Sequence, residues 1–282
     1  MTMKNLLYAT GPFRAAGLRS GDPYELSQGH PIVCMPTGGR GSRANLVGAS
    51  VLDSDPQVQA AGVDTGYALT EDTLRAPDIA VGNVTDQPGW VAGAPPLAVE
   101  YADTGQDEQD LRTKIEELLA AGTRYIWVVR LRGPRRVQVY ESGREMKMLG
   151  PGEMLTAPGI LKNPVPVEAL YDRDAAHEMT LCNLLQRRGY ANLEAVFSEG
   201  EMKGREKGEV EGRVKGEAEG RAKGKADGII EAILELFATR DIDISNEVRA
   251  QLATATDADR LKMFLRAAAI SKSSDEWLLM VT

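Results

Sequence analysis

The sequence predicts an α/β domain followed by an all-α C-terminal extension, and three observations carry that prediction. From Arg75 to Tyr140 the pattern runs strand, strand, helix, strand. An acid stands at each of the first two strands, Asp78 and Glu100, and a lysine, Lys114, lies inside the helix. Beyond Tyr171 the apolar spacing turns helical and remains so to the end of the chain.

Taken in order, residues 1 to 22 hold few signals, and partial disorder is expected there. Tyr24-Glu25-Leu26 and Pro31-Ile32-Val33-Cys34-Met35 read as a strand pair around a Gln28-Gly29 turn. The span from Ala44 to Leu52 is weakly patterned, diluted by Asn45, Gly48 and Ser50 and closed by Asp53 to Pro56. Pro77-Asp78-Ile79-Ala80-Val81 is a short apolar run opened by proline, and Leu97-Ala98-Val99-Glu100 is a second, closed by glutamate. Between them, Asp86 to Pro96 is a loop by composition; its Trp90 is expected to plug the loop onto the core rather than to stack on an unpaired base. Asp107 to Ala121 carries Leu111, Ile115, Leu118 and Leu119 at helical spacing, with Gly122 as the stop. Tyr125-Ile126-Trp127-Val128-Val129 is the third strand.

Two carboxylates and one ammonium on adjoining elements are the parts of a metal-assisted hydrolase. If neighbouring strands point Asp78 and Glu100 to the same side, the carboxylates approach to about 4 Å, and their repulsion costs roughly 4 kcal/mol at an effective dielectric near 20. A shared proton, a nearby ammonium or a hard cation such as magnesium would offset it. The plainer alternatives are an ion pair with Lys114 that is only structural, or a Glu100 that is a solvated strand end.

Glu25 in Tyr24-Glu25-Leu26, then Pro77-Asp78, Leu97 to Glu100, Lys114, Leu119-Ala120-Ala121-Gly122 and Ile126-Trp127-Val128-Val129 resemble the Uma-type restriction endonucleases, a family of the PD-(D/E)XK nuclease superfamily. The resemblance covers about residues 20 to 172, including Gly150-Pro151-Gly152 to Leu155 and Pro166 to Tyr171. It implies a restriction-endonuclease-like core with a central mixed sheet flanked by helices. It also implies that Asp78 and Glu100 bind Mg2+, with Mn2+ as the alternative, and that Lys114 replaces the lysine usually found two residues after the glutamate, here Ala102. Glu25 would be an auxiliary acid, and DNA the partner. Three family positions differ: serine is missing near Ala102, tyrosine at Leu118, and histidine near Ser42 and Arg43.

A net charge of −8 argues against general affinity for duplex DNA, because phosphate binding draws on basic side chains. A local basic surface is offered by Arg124, Arg130, Arg132, Arg135 and Arg136, which read equally as the solvated face of an edge strand. Two cysteines, Cys34 and Cys182, and two histidines, His30 and His177, exclude a disulfide framework and a zinc cluster and leave triad or His-dependent chemistry without its parts. No long apolar run or charged-then-apolar leader is present, so a cytoplasmic protein is expected.

In the C-terminal part, Ala175 to Arg188 is helical with Met179, Cys182 and Leu185 on one stripe. Then Gly204, Gly208, Gly212, Gly216, Gly220, Gly224 and Gly228 recur every fourth residue. Between them lie Glu209 and Glu211, Arg213 and Lys215, Glu217 and Glu219, Arg221 and Lys223, so each acid has a base four residues on. Such pairs each contribute roughly 0.2 to 0.5 kcal/mol, against about 1 kcal/mol lost per glycine relative to alanine. The expectation is a helix whose glycine ridge packs on a partner, in the manner of a coiled coil, rather than a loose linker. A period of 4.0 drifts about 40° per step against 3.6, so a partner would wrap right-handedly or pair over part of the repeat. Similar tails occur in transposase-like members of the same superfamily. Ile229 to Ala238, Glu247 to Ala253 capped by Ser245, a helix from Asp257 through Leu265, and a last turn at Ser274 to Trp277 form a small module suited to protein contact.

These readings divide the chain into residues 1–22, a nuclease core at 23–172, a connecting helix at 173–200, the glycine repeat at 201–228 and a helical module at 229–282. The function expected is a Mg-dependent endonuclease hydrolysing DNA phosphodiester bonds, with Asp78, Glu100, Lys114 and Glu25 as its site. The alternative is a degenerate nuclease-like binding module that forms a homo-oligomer, a dimer, through its helical tail.

Overall fold

The computed structural model describes residues 11–104 and 107–281. It divides into two compact units, the second running from Phe197 to Thr282. The first contains β1 (Tyr24–Ser27), β2 (His30–Val33), α1 (Gly39–Ser54), β3 (Ala61–Val63), β4 (Tyr67–Ala68), β5 (Leu74–Arg75), β6 (Ile79–Val81), β7 (Val91–Ala92) and β8 (Leu97–Ala102). There follow α2 (Glu108–Ala120), β9 (Tyr125–Arg130), β10 (Arg136–Glu141), β11 (Lys147–Leu149), β12 (Met154–Leu155), β13 (Val165–Pro166) and α3 (Arg173–Arg187).

The central sheet has the order β11-β10-β9-β8-β6-β3. Only β8 and β9 run parallel, because α2 carries the chain back across the sheet between them. The other pairs are antiparallel, so the sheet is mixed and flanked by helices. Period-two alternation sorts its side chains. Ile79, Val81, Leu97, Val99, Tyr101, Trp127 and Val129 join Val51 and Leu52 of α1 in one core, while Ala98, Ala102, Ile126 and Val128 join Leu111, Ile115 and Leu118 of α2 in another. Local chemistry fixes α2 at both ends. The Asp107 side chain accepts from the amides of Gln109 and Asp110, and Gly122 at φ +105° ends it.

A second sheet, β2-β1-β5-β4-β7, brings Glu25 and Arg75 together. The expected β1–β2 hairpin forms, with Gln28 at φ +48° and Gly29 at φ +80° in its two-residue turn. The expected disorder of residues 1–22 falls partly on residues 1–10, outside the described residues. Residues 11–22 differ from it: Ala15 and Leu18 are buried against Leu26 and Leu74. Trp90 packs on the same cluster and donates through Nε1 to the Ala15 carbonyl, 3.1 Å, as a loop plug does.

Two expectations are corrected. The strand carrying Arg130 is no edge strand; β9 lies between β8 and β10, with Ile126 to Val129 fully buried, because hydrophobicity on both faces marks a central strand. The inward stripe of α3 is Ala176, Met179 and Asn183, not Met179, Cys182 and Leu185; Cys182 is exposed. Buried Asn183 donates to the Val51 carbonyl and Ser54 Oγ and accepts from Asn163, so a polar residue occupies an inward position with all its groups engaged.

The helix α4 (Leu193–Thr239) begins four residues before the second unit and is continuous through the whole glycine repeat. Its observed ion pairs are Glu199 with Lys203 at 2.5 Å, Lys207 with Glu211 at 3.8 Å and Lys215 with Glu219 at 3.9 Å, the last two with lysine leading. A Cβ at any glycine from Gly204 to Gly228 would meet open space, so the described residues supply no partner to the ridge. Alanine at Gly212 or Gly216 is therefore expected to stabilise the helix by about 1 kcal/mol each, measured by thermal melting followed by circular dichroism. A lower melting temperature would refute it. The end of α4, with α5 (Asn246–Thr254), α6 (Ala258–Ile270) and α7 (Ser274–Val281), encloses its own core around Phe237, Phe264 and Trp277. Trp277 meets both rings edge-on and donates to the Phe264 carbonyl. Among the described residues no helix is long and apolar enough to cross a membrane.

Candidate catalytic site

The site begins at the end of the β6–β8 ladder. Ile79 pairs with Val99, so the next position places Asp78 opposite Glu100, and the pleat turns both toward the α2 side of the sheet. The Asp78 carboxylate accepts the Tyr101 amide proton through Oδ2 at 2.6 Å, at the point where the ladder would otherwise continue. Lys114 rises from α2 in phase with Leu111, Leu118 and Ile115 and reaches the same place. Its Nζ lies 2.8 Å from Glu100 Oε1 and donates to Glu25 Oε1 at 3.0 Å and the Ala76 carbonyl at 2.7 Å. The residues singled out in sequence are thus neighbours: Lys114 joins Glu25 and Glu100, and Asp78 stands across the ladder from Glu100.

Two further side chains complete the network. Arg75, 1% exposed, donates through Nη1 to Glu25 Oε2 at 3.0 Å and through Nε to Glu117 Oε2 at 2.5 Å. Glu117 in turn accepts from Ser27 Oγ at 2.5 Å. Both oxygens of Glu25 are therefore held by cations, which makes Glu25 the strut between Arg75 and Lys114. Sequence reading missed Arg75 and Glu117. The available signals were a cation inside an otherwise apolar strand and the i,i+3 spacing of Glu117 from Lys114 on one helix face.

Burial dominates the electrostatics. It pushes the Glu100 carboxyl up to about 8, with the charges of Asp78 and Glu25 adding to it and Lys114 opposing. Asp78 is raised for the same first reason, desolvation. Lys114 is held well above the ordinary lysine value: the charges of Glu100, Glu25 and Asp78 outweigh its own desolvation. These shifts pull opposite ways on the Glu100–Lys114 contact, one toward a neutral acid, the other toward an ion pair. Lys114 as ammonium is the firmer of the two, since three acids surround it, and the strain falls on the acids.

The network counts two cations, Arg75 and Lys114, against four carboxylates, Glu25, Glu117, Asp78 and Glu100. Glu100 Oε1 is buried and, although it lies beside Lys114, receives no well-directed hydrogen bond. A hard divalent cation fits this surplus of charge and these oxygen donors. Magnesium in particular is usually held by one or two carboxylates, with water and phosphate completing its shell. Among the described residues no group of three or more His, Cys, Asp or Glu could hold a metal by itself, so Asp78 and Glu100 would be the only protein carboxylates offered to an ion here.

Other expected positions behave differently. Arg130 is paired with Glu108 and bound to Gln138. Arg124 donates to the Gly159 carbonyl, Arg136 to the Pro134 carbonyl, and Arg135 lies over the Tyr171 ring. Ala102 and Leu118 are buried in the apolar core under α2, so neither position offers a polar group to a substrate.

A mixed sheet flanked by helices, with Asp78 just before β6 and Glu100 within β8, has the architecture of a restriction-endonuclease-like fold. A crystal structure described as "a putative nuclease belonging to DUF820" from Anabaena variabilis ATCC 29413 shares it at TM-score 0.50 and 19% identity, over 58% of this chain and 99% of that one. The family model "Uma2: Putative restriction endonuclease" matches residues 13–165, and the chain belongs to that family. No curated protein matches it.

Proposed function

We propose that the protein is a divalent-cation-dependent endonuclease that hydrolyses phosphodiester bonds, with DNA as its substrate and Mg2+ as its ion. The observation that carries this reading is the meeting of Asp78, Glu100 and Lys114 at a buried point with more negative than positive charge. Asp78 and Glu100 would hold the ion, which when bound supplies a Lewis acid and a more acidic water. In the hydrolysis, a water oxygen bonds to phosphorus, the phosphorus–oxygen bond to one sugar breaks, and the water's proton leaves as the departing oxygen gains one. Lys114, already protonated at neutral pH, serves as a donor toward the developing phosphorane charge and not as the base. Glu25 and Arg75 keep that ammonium in place.

Asp78→Asn is expected to lower Mg2+-dependent cleavage of plasmid DNA by roughly 10²-fold or more. Equal cleavage by wild type and variant would sink the reading. RNA in the same assay separates the two substrates. A second reading, a nuclease-like module that binds without cleaving, is favoured by the apolar burial of Ala102 and Leu118. It expects DNA binding with no cation-dependent cleavage by the wild type.

A further inference from the structure

We propose that the protein self-associates through α4: a second copy of the chain docks antiparallel on the ridge formed by Val210, Val214, Ala218 and Ala222, about a two-fold axis at Gly216. The inference is independent of the chemistry at the candidate catalytic site. It starts from what the helix leaves bare. Val210 and Val214 are 48% and 59% exposed, and with Ala218 and Ala222 they recur every fourth residue, on the side of α4 away from the glycines. The same ridge runs on into Ala226 and Ile230, which the helical module takes into its own core. From Val210 to Ala222 every residue is exposed, so the ridge has no cover among the described residues.

Charge and size select the occupant. A two-fold axis pairs positions equally far before and after its centre, because such an interface uses the same patch twice. Centred on Gly216, it sets Glu209 against Lys223, Glu211 against Arg221, Arg213 against Glu219 and Lys215 against Glu217, opposite signs in every case. The ridge agrees: Val210 faces Ala222 and Val214 faces Ala218, large against small. Other arrangements lose one of these matches. A parallel pair in register sets like charge against like at each position. An axis at Gly212 buries Glu206 against Ala218, and one at Gly220 sets Lys215 against Lys225. A parallel pair shifted by four residues matches signs but makes a head-to-tail contact that does not close.

The helix also has charge to offer. Among the described residues Glu209, Arg213, Glu217 and Arg221 make no ion pair, and the contacts of Lys207 with Glu211 and Lys215 with Glu219 are 3.8 and 3.9 Å long. Because the ridge drifts about 40° per step, the two helices cross, as interdigitating i±4n ridges do at about −50°. Contact is therefore closest around Val214 and Ala218. Glu211 and Arg221 flank that point on the same face and form the pair on which docking most depends.

The experiment is sedimentation velocity of the full chain over a range of concentrations, with circular dichroism to follow helix content. Wild type is expected to form a dimer that dissociates as NaCl rises. Glu211→Arg and Arg221→Glu each put like charges across the axis, and each alone is expected to weaken the dimer at least tenfold. Mixing the two variants in equal amounts sets opposite signs together again and is expected to restore it. Gly216→Leu, on the far side of the helix, is expected to leave it intact. A monomeric wild type, single variants as dimeric as wild type, or a mixture no more dimeric than its components would overturn the proposal. Loss of the dimer in Gly216→Leu with helix content preserved would overturn it too, and would move the interface to the glycine ridge.

Discussion

Replacing Arg75 by alanine is expected to cost the first unit about 3 to 5 kcal/mol of stability, because it strands two buried carboxylates. Arg75 is 1% exposed, and its partners Glu25 and Glu117 have side chains only 10% and 13% exposed. Removing one member of such a network leaves the others charged in a medium that solvates them poorly, or forces them to take up protons. Urea unfolding measures the loss. Arg75→Met combined with Glu117→Gln is expected to recover part of it, since the double change removes a charge of each sign; a strictly additive result would show that Arg75 acts through packing alone. The substitution also frees one oxygen of Glu25, so Lys114 loses its fixed position.

Stability of the cation-free protein is expected to fall as pH rises from about 5 to 8, and Glu100→Gln is expected to remove most of that slope. The Glu100 carboxyl titrates near 8 in the folded chain against an ordinary value of 4.5, so between those limits the folded state keeps a proton that the unfolded chain has released. Its contribution is complete below the unfolded value and is lost as pH climbs through the folded one, at a rate of up to about 1.4 kcal/mol per pH unit. Asp78, also raised, adds in the same direction. Lys114 does not oppose it, since both its states stay protonated across this window. Saturating Mg2+ should flatten the profile, because the ion replaces the proton as the partner of these acids. Thermal melting over that pH range, with and without the ion, reads the effect; a profile in Glu100→Gln as steep as in wild type would contradict it.

How far the sequence could be read follows from which interactions are local. The β1–β2 hairpin was legible because Gln28-Gly29 accepts the positive φ values of a two-residue turn. The helix α2 was legible from Asp107, its apolar spacing and Gly122. Asp78, Glu100 and Lys114 stood out because a charge in an apolar run needs a reason. Arg75 and Glu117 did not, since their significance depends on partners 42 or 50 residues away that no local pattern specifies. The inward stripe of α3 was misphased because Asn183, polar by type, is satisfied only by acceptors and donors on α1 and near Asn163.

The sequence by itself determined the β1–β2 hairpin, the strand-strand-helix-strand run from Pro77 to Val129, and the acids and lysine available for chemistry, and it favoured a helix over a linker for the charged glycine repeat. Only the tertiary structure decided that β9 lies inside the sheet and that Glu25 is gripped between Arg75 and Lys114. The reason is physical: turns, caps and periodicity act over a few residues, whereas desolvation and charge pairing arise only once distant segments are packed together.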